Sequence, residues 1–248
     1  MKYTVLRNLL SGEECDELVA KVKELQSRQA CATIQRDPDG KHTTIGTWKT
    51  SYLHSGGCFP QYFPDLKLKL RKATVEADAE SWGLLRARDL AKVNYRTVEF
   101  HVRESSPRRC MTDEHDTQLS PFSSYLQEYS KGGRLNAERH YDAGSIITMD
   151  IMLSEPGKDF TGGELCTPEA DGSVQRVDFR RGDAALFVSH KFHNVRPVEQ
   201  GRRTVLVLEL WDGPEKTCAH RCLTTGPCSY SLSQAQISNA GHMAGVLG

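Results

Sequence analysis

The second half of the chain is dominated by short runs of β-branched and apolar residues. Turns that contain glycine or proline separate these runs, as in EPG, TGG, DGS, RGD and EQG. The predicted strands cover residues 92–102, 145–153, 163–167, 173–179, 184–188 and 202–211. Many short strands at this spacing favour a sandwich or jelly roll over a parallel sheet.

The first half of the chain carries two helical patterns. Ser11 followed by Glu14 forms a capping box, which predicts a helix over residues 12–28. Pro64 opens a second helical pattern, and Gly83 ends it. Apolar positions recur at helical spacing on one face of each pattern: Leu18, Val22 and Leu25 in the first, and Leu66, Leu70, Ala73 and Ala77 in the second. Neither helix carries a cluster of residues suited to catalysis or metal binding, so we interpret both helices as structural supports.

These patterns predict a mainly β protein with flanking helices, of the α+β class. Residues 3–7 and 43–53 add short β-like segments before the main strand series. We divide the chain into an N-terminal helical support region (1–89), a β core (90–213) and a Cys-containing tail (214–248). Much of the tail is expected to pack poorly, because it is rich in Ser, Thr, Gly and Cys. A length of 248 residues suits one large domain, or one domain plus a tail.

Composition narrows the possible partners and compartments. Basic and acidic residues number 32 each, so the chain has no overall field that would attract nucleic acid or an anionic membrane. The N-terminal residues show no long apolar segment and no cleavage site, so we expect no signal peptide and no transmembrane span. The eight cysteines are then expected to be reduced thiols in a cytoplasmic or nuclear protein, rather than a disulfide framework.

One histidine and one aspartate stand at the start of the strand SIITMDIML. His140 and Asp142 are two residues apart, so in an extended segment both side chains point the same way. With nine histidines in the chain, about one such pair is expected by chance, and alone it favours a surface position at a strand end. His193, which follows the strand AALFV, changes this interpretation. Two histidines and one carboxylate form a facial ligand set that suits non-haem Fe(II) and leaves metal positions open.

An arginine at the start of the last apolar strand is the second candidate. Arg203 opens a strongly β-branched strand, where a cation without a partner is costly to bury. Two open metal positions could chelate a 2-oxo acid, whose far carboxylate would need a fixed cation. Arginine serves this purpose best, because it donates two parallel hydrogen bonds.

The same segments resemble the prolyl 4-hydroxylase-type 2-oxoglutarate/Fe(II) dioxygenases. The matching sequence is HYDAGSIITMDIMLSEPGKDFTGGEL, followed by GDAALFVSHKFHNVRPVEQGRR and a strand that ends in Trp211. The motif is His-x-Asp, then Gly-Gly-Glu-Leu, then His-x-Val-x-Pro-Val-x-x-Gly-x-Arg, in family-like order and spacing. The resemblance covers roughly residues 90–212, and VLRNLLSGEECDELV near the N-terminus is similar to the segment that opens such domains.

The resemblance implies a fold, a cofactor and a cosubstrate. It implies a double-stranded β-helix, also called a jelly-roll or cupin-like core. It implies Fe(2+) bound by His140, Asp142 and His193, and 2-oxoglutarate bound by Arg203. L-ascorbate is the reductant that the resemblance implies. Arg202 matches a variable family position, and strand alternation should point it to the opposite face.

A tyrosine on the strand before the His-x-Asp pair is also implied as a 2-oxoglutarate contact. Tyr129 matches that position best, and Tyr95 is the alternative. Residues 104–122 blur the register between the two, because this polar segment has two prolines and no periodicity. Such a long loop is usually functional or disordered.

Several other residues are candidates of lesser interest. Gly162 and Gly163 are expected to form a turn that lets a loop pass close to the metal-binding strand. His190 is interpreted as a surface histidine rather than a ligand. His115 and Asp116 are adjacent, so in an extended segment they would face opposite ways and would not form a second metal site.

The tail contains four potential soft ligands, Cys218, His220, Cys222 and Cys228. They would suit zinc, but their spacing is not that of a two-knuckle finger and no paired ligands lie elsewhere. We therefore interpret this segment as a reduced, mobile tail, or as a local disulfide if the protein is exported.

The function that the resemblance implies is hydroxylation of an unactivated C–H bond, with release of succinate and carbon dioxide. The expected substrate is a prolyl or other side chain of a peptide or protein, with a free amino acid or small metabolite as the alternative. A nucleic-acid substrate is disfavoured by the zero net charge and the lack of an aromatic-basic cluster. The oligomeric state is left open.

Two other classes of protein share these features. One is a cupin-like binding or scaffold protein that has lost turnover. The other is a zinc hydrolase on the same ligands, which would need a general base near the metal and would not use Arg203.

Overall fold

The computed structural model describes residues 2–36, 44–45, 47–105, 134–135 and 140–235. The helices are α1 (Gly12–Ser27), α2 (Cys58–Tyr62) and α3 (Pro64–Ser81), with short 3₁₀ turns at Ser55–Gly57 and Leu90–Lys92. The strands of the first half and centre are β1 (Thr4–Leu6), β2 (Ala32–Arg36), β3 (Thr44–Ile45), β4 (Thr47–Tyr52), β5 (Val93–Glu104) and β6 (Arg134–Leu135). The remaining strands are β7 (Ile147–Met152), β8 (Phe160–Gly162), β9 (Leu165–Pro168), β10 (Val174–Arg176), β11 (Ala184–Val188), β12 (Asn194–Val195) and β13 (Val198–Asp212).

Both predicted helices are present, with the predicted ends. The capping box of α1 is complete, because Ser11 Oγ accepts from the Glu14 N–H and the Glu14 carboxylate accepts from the Ser11 N–H. Gly83 follows α3 in the left-handed region, with φ +67°, and its N–H donates to the Asp78 carbonyl at 2.6 Å. The predicted faces are the buried faces, with Leu18, Val22 and Leu25 in α1 and Leu70 and Ala77 in α3.

The described strands form one large antiparallel sheet of eight strands, a sheet of three strands and a pair of two strands. The order in the large sheet is β1-β11-β7-β13-β5-β4-β2, and β8 also pairs with β13. The smaller sheet has the order β10-β9-β12, and β3 pairs with β6. This arrangement confirms the prediction of a mainly β fold with flanking helices. The sequence patterns did not predict β2, β8, β12 or the short helix α2.

The large sheet is buried on both of its faces. Along β7, Ile147, Met149 and Ile151 belong to the core that packs under α1 and α3. Alternation then places Thr148 and Asp150 on the opposite face, towards the interior of the sandwich. A second apolar cluster, which includes Phe187 and Val195, fills part of that interior between the two sheets.

The region 1–89 contributes more than helical support. Its strand β1 pairs with β11 at one edge of the large sheet, and β4 pairs with β5 on the other side. Within the part of the chain that the structure describes, no helix is long and apolar enough to cross a membrane.

Candidate metal and cosubstrate site

The structure brings the three predicted metal ligands together. His140 and His193 form an antiparallel β-bridge, in which each backbone N–H donates to the other's carbonyl, at 3.2 and 2.8 Å. His140 Nε2 lies 3.1 Å from Asp142 Oδ1, and His193 Nε2 lies 3.8 Å from Asp142 Oδ2. One ligand atom from each residue lies within 4.8 Å of the other two. This donor set, at this spacing, could hold a single divalent ion.

The surroundings of Asp142 and His193 favour protonation states in which these residues could bind a metal. Asp142 accepts a hydrogen bond from Thr148 Oγ1 at 2.7 Å. Burial alone would raise the pKa of Asp142, but the contact with His140 and the nearby positive charges hold that pKa well below its usual value. His193 Nδ1 lies 3.1 Å from the Lys191 carbonyl, which leaves Nε2 free to face the site, and burial lowers the pKa of this imidazole.

Arg203 lies at the opposite end of the same cavity and is 1% exposed. Among the residues that the structure describes, its Nε and Nη2 atoms have no hydrogen-bond partner. Burial lowers the pKa of Arg203 to about 10, although the nearby Asp150 carboxylate opposes this effect. Two unpaired guanidinium N–H groups in a buried position fit the carboxylate of a bound anion. Arg202 points to the opposite face as expected, and its Nη2 lies 2.5 Å from Glu104 Oε1 at the surface.

The double-glycine turn makes room for Arg203. Gly162 and Gly163 have φ values of +69° and +66°. A Cβ on Gly163 would lie 2.9 Å from Arg203 Cδ and 3.1 Å from Val198 Cγ2. The expected turn is present. It lies close to β13, however, and not to the strand that follows His140 and Asp142.

A second buried arginine was not predicted from the sequence. Arg103 on β5 pairs in register with Arg203, and its guanidinium lies 4.0 Å from the centre of the Trp48 ring. Its Nε and Nη1 also lack hydrogen-bond partners within the described part of the chain. Burial, together with the positive charge of Arg203, lowers the pKa of Arg103 to about 9. The sequence feature that could have revealed Arg103 is the alternation in VEFHVRE, which places Glu99, His101 and Arg103 on one face of the strand.

Acidic groups on the same face balance part of this charge. Burial raises the pKa of Asp150 to about 7. Glu99 Oε2 lies 2.7 Å from His101 Nε2, and both side chains are buried.

The cavity between the triad and Arg203 has a volume of about 240 Å³ and is lined by β4, β5, β7, β12 and β13. It is large enough for a small dicarboxylate between the metal ligands and the two arginines.

The expectation of a poorly packed tail is wrong for its first part. The buried residues there are Lys216, Cys218, Ala219 and Cys222. Arg221 extends from this segment into the cavity, where its Nη2 lies 2.5 Å from Asp142 Oδ1 and 2.5 Å from Glu209 Oε1. The tail therefore supplies a charged side chain to the candidate metal site.

The other predicted residues divide into two groups. Tyr95 is buried in the core under the helices, where its hydroxyl lies 3.4 Å from the Lys67 carbonyl, and it does not line the cavity. His190 is exposed, as predicted. Tyr129, His115 and Asp116, and nearly all of the 104–122 loop, lie outside the described residues.

Comparisons with known proteins agree with this geometry. Residues 124–211 match the family model of the 2OG-Fe(II) oxygenase superfamily. A PKHD-type hydroxylase of Acaryochloris marina is 35% identical over 86 residues, which cover 35% of this chain and 38% of that protein. A PKHD-type hydroxylase of Verminephrobacter eiseniae is 30% identical over 97 residues, which cover 39% of this chain and 42% of that protein. The chain thus spans about two fifths of the length of these curated relatives.

Solved structures with the same fold cover most of the chain. A prolyl hydroxylase from Trichoplax adhaerens, solved with a peptide fragment of hypoxia inducible factor, has a TM-score of 0.55 at 14% identity. The likeness covers 85% of this chain and 83% of that one. The epimerase SnoN of nogalamycin biosynthesis has a TM-score of 0.55 at 15% identity, over 92% of this chain and 90% of that one. The expected double-stranded β-helix fold is confirmed.

Proposed function

We propose that this chain, in which residues 124–211 match the 2OG-Fe(II) oxygenase superfamily, is an Fe(II)- and 2-oxoglutarate-dependent dioxygenase. The reaction is hydroxylation of an unactivated C–H bond, with release of succinate and carbon dioxide. One observation carries the proposal: a two-histidine, one-carboxylate cluster opens into a cavity whose far end holds the unpaired N–H groups of Arg203.

The residues of this chain have distinct tasks in the proposed reaction. His140, Asp142 and His193 would bind the metal, which supplies open coordination positions for a chelating 2-oxo acid and for dioxygen. Arg203 would bind the far carboxylate of 2-oxoglutarate, and Arg103 would add a second positive charge. Burial of these groups excludes water and strengthens each electrostatic interaction in the cavity.

The proposed substrate is a side chain of a peptide or protein, with prolyl first. An exposed aromatic rim beside the metal ligands supports this choice. Tyr141 and Phe192 follow His140 and precede His193 in the sequence, and each is more than 40% exposed. Tyr141 stacks on His190 at 6.0 Å and contacts Phe192 edge to face at 5.8 Å. Aromatic faces of this kind pack well against the apolar ring of a prolyl residue.

L-ascorbate is proposed as the reductant that keeps the iron active, and the cytoplasm or nucleus as the compartment. The described cysteines are free thiols, which supports a reducing compartment.

The experiment measures succinate formed from 2-oxoglutarate by the purified protein with Fe(II) in air, with and without ascorbate. We expect turnover by the wild type and at least a ~100-fold loss in His140→Ala, since even residues that only orient metal ligands are worth 10–100-fold. His190→Ala is the matched control, because this histidine is exposed and close to the ligands, and it should retain turnover. Equal activity of the two variants would contradict the proposal.

The substrate is tested in the same assay with proline-containing peptides. A peptide that is hydroxylated should raise the rate of succinate formation and gain one oxygen atom in mass spectrometry. Loss of that stimulation in Tyr141→Ala or Phe192→Ala, with unchanged basal turnover, would assign the aromatic rim to the substrate. Stimulation by free amino acids alone would favour the small-molecule alternative.

A further inference from the structure

A second cluster of metal-binding side chains lies outside the cavity, in the segment that follows β13. The cluster consists of Cys218, His220, Cys222 and Cys228, and one ligand atom from each lies within 4.8 Å of the other three. His220 Nε2 is 3.2 Å from Cys228 Sγ. The expectation of a mobile tail did not foresee that Cys218 and Cys222 are almost fully buried.

The separations of the ligand atoms, all within 4.8 Å, are compatible with a tetrahedral zinc site. Ligand atoms that lie about 2.0–2.3 Å from a zinc ion stand roughly 3.5–3.8 Å from one another. Three sulfurs and one imidazole form a donor set that is found in structural zinc sites. Soft thiolate ligands also separate this site from the histidine and carboxylate set of the cavity, which suits iron.

The backbone around the cluster is fixed from several sides. Arg96 donates from Nε and Nη2 to the Cys222 carbonyl, at 3.1 and 3.0 Å. Lys216 Nζ donates to the Gly226 carbonyl at 2.7 Å. A zinc ion with three thiolates carries one net negative charge, which these two cations offset. Thr224 Oγ1 lies 2.8 Å from Cys222 Sγ, within reach to donate to a thiolate.

The segment that carries the four ligands has no regular secondary structure of its own. Residues 213–231 contain no helix or strand, yet Cys218 and Cys222 are almost fully buried. Short irregular segments that cannot build their own core are commonly stabilised by a metal or by disulfides. No disulfide joins the described cysteines.

We propose that Cys218, His220, Cys222 and Cys228 bind one structural Zn²⁺ ion. The ion fixes the position of Arg221, which stands between two of the ligands and reaches Asp142 and Glu209. The zinc site thus connects the tail to the candidate iron site, although the two sites use separate ligands.

The first test is the zinc content of the full-length protein, purified without added metal and measured by mass spectrometry. We expect one zinc per chain, retained in His140→Ala and in Arg221→Ala and reduced at least 10-fold in Cys228→Ser. Cys166→Ser is the matched control, since Cys166 is a buried free thiol in β9, and it should retain zinc. Cys228→His should also retain it, because histidine can replace the lost ligand.

Three results would overturn the proposal. One is the absence of zinc with a disulfide among the three cysteines, detected as two thiols fewer per chain. Another is zinc that disappears in His140→Ala and persists in Cys228→Ser, which would place it at the triad. The third is iron in place of zinc at the cysteines. Because His140→Ala is expected to lack turnover yet keep zinc, failure of the proposed dioxygenase activity would not affect this test.

The second test follows the position of Arg221 by trypsin cleavage after this residue. In the zinc-bound chain the guanidinium is engaged with two carboxylates, so cleavage there should be slow. Removal of zinc by a thiol-specific mercurial, or by Cys228→Ser, should raise the cleavage rate at least 10-fold at this bond and leave other sites unchanged. An unchanged rate after zinc loss would show that the ion does not fix this residue.

Discussion

The two faces of the large sheet are both buried, yet they have opposite chemistry. Under the helices, β13 contributes Leu206, Leu208 and Leu210, and each is less than 2% exposed. On the other face the same strand contributes Arg203 and Glu209, which are as deeply buried. A single strand therefore stabilises the fold with one set of alternate residues and forms the site with the other.

The energetic roles of the two faces differ accordingly. Each buried leucine contributes about 1.5–3 kcal/mol through removal of apolar surface from water. Arg203 has the opposite effect, since one pKa unit corresponds to ~1.4 kcal/mol and its lowered pKa represents roughly 3 kcal/mol of unfavourable burial. We therefore propose that Arg203 serves binding rather than stability.

The largest expected effect comes from the apolar face. Leu208→Ala should lower the free energy of unfolding by about 3 kcal/mol, because it leaves a cavity in a fully buried core. Urea denaturation measures the loss, and the KM for 2-oxoglutarate of the folded enzyme should not change. Val207→Ala, one residue away and partly buried on the cavity face, is the control and should cost less stability. A larger loss in Val207→Ala would reverse the assignment of the faces.

The next largest effect is expected at Arg203, where a substitution should weaken 2-oxoglutarate binding rather than lower stability. Arg203→Met should raise the 2-oxoglutarate requirement about 100-fold, because two charge-assisted hydrogen bonds are lost. The free energy of unfolding should stay the same or rise, since a buried charge without a partner is removed. Arg202→Met, on the exposed face, should change neither quantity. Strong destabilisation by Arg203→Met with unchanged affinity would make this arginine structural.

The next effect in size is expected at Thr148, a neutral residue on the cavity face of the sheet. Thr148→Val removes the hydrogen bond to Asp142 Oδ2 and should weaken Fe(II) binding about 10-fold, with little loss of stability. Equilibrium binding of the metal without oxygen measures the effect, and Thr148→Ser, which keeps the hydroxyl, should restore it. If the serine variant binds metal as poorly as the valine variant, the methyl group rather than the hydrogen bond is responsible.

The smallest effect on stability is expected at Asp183, a buried carboxylate that has hydrogen-bond partners. Asp183 accepts from the N–H groups of Arg180 and Asn8 and from Arg7 Nη1. Burial would raise the pKa of Asp183, but these contacts outweigh it and lower that pKa. Asp183→Asn should therefore lower the free energy of unfolding by about 1 kcal/mol at neutral pH.

The pH dependence of the stability difference between the wild type and Asp183→Asn shows whether the Asp183 carboxylate stabilises or destabilises the fold. The stabilisation by Asp183 is complete above the ordinary aspartate pKa and is lost as the pH falls through the lower pKa of the folded state. The wild type and the variant should thus converge in acid, in denaturation curves measured over that range. A difference that grows as the pH falls would mean that the carboxylate destabilises the fold.

The sequence predicted the apolar face better than the charged one. The run AALFV predicted β11 with its observed bounds, Ala184–Val188, because a short apolar segment between turns has few alternatives. Arg103 was missed, although VEFHVRE alternates clearly, because the pattern does not say which face meets the cavity. The short strand β2 was missed because ATIQR has no long apolar run.

The candidate site was predictable where its residues form local motifs. His140, Asp142, His193 and Arg203 stand in short segments that resemble a known family, and the structure brings them to one cavity. The contribution of the tail was not predictable, because the spacing of its cysteines is unusual and its backbone is irregular. Convergence of such ligands depends on long-range contacts, such as that of Arg96 with the Cys222 carbonyl.

The most direct test of the division between the two faces is calorimetric titration of 2-oxoglutarate into the protein without oxygen. Mn(II), which does not start turnover, would replace Fe(II). We predict one binding site that requires the metal, is lost in His140→Ala and Arg203→Met, and persists in Leu208→Ala at a temperature where this variant is folded. Binding that does not require the metal, or that survives Arg203→Met, would contradict the account.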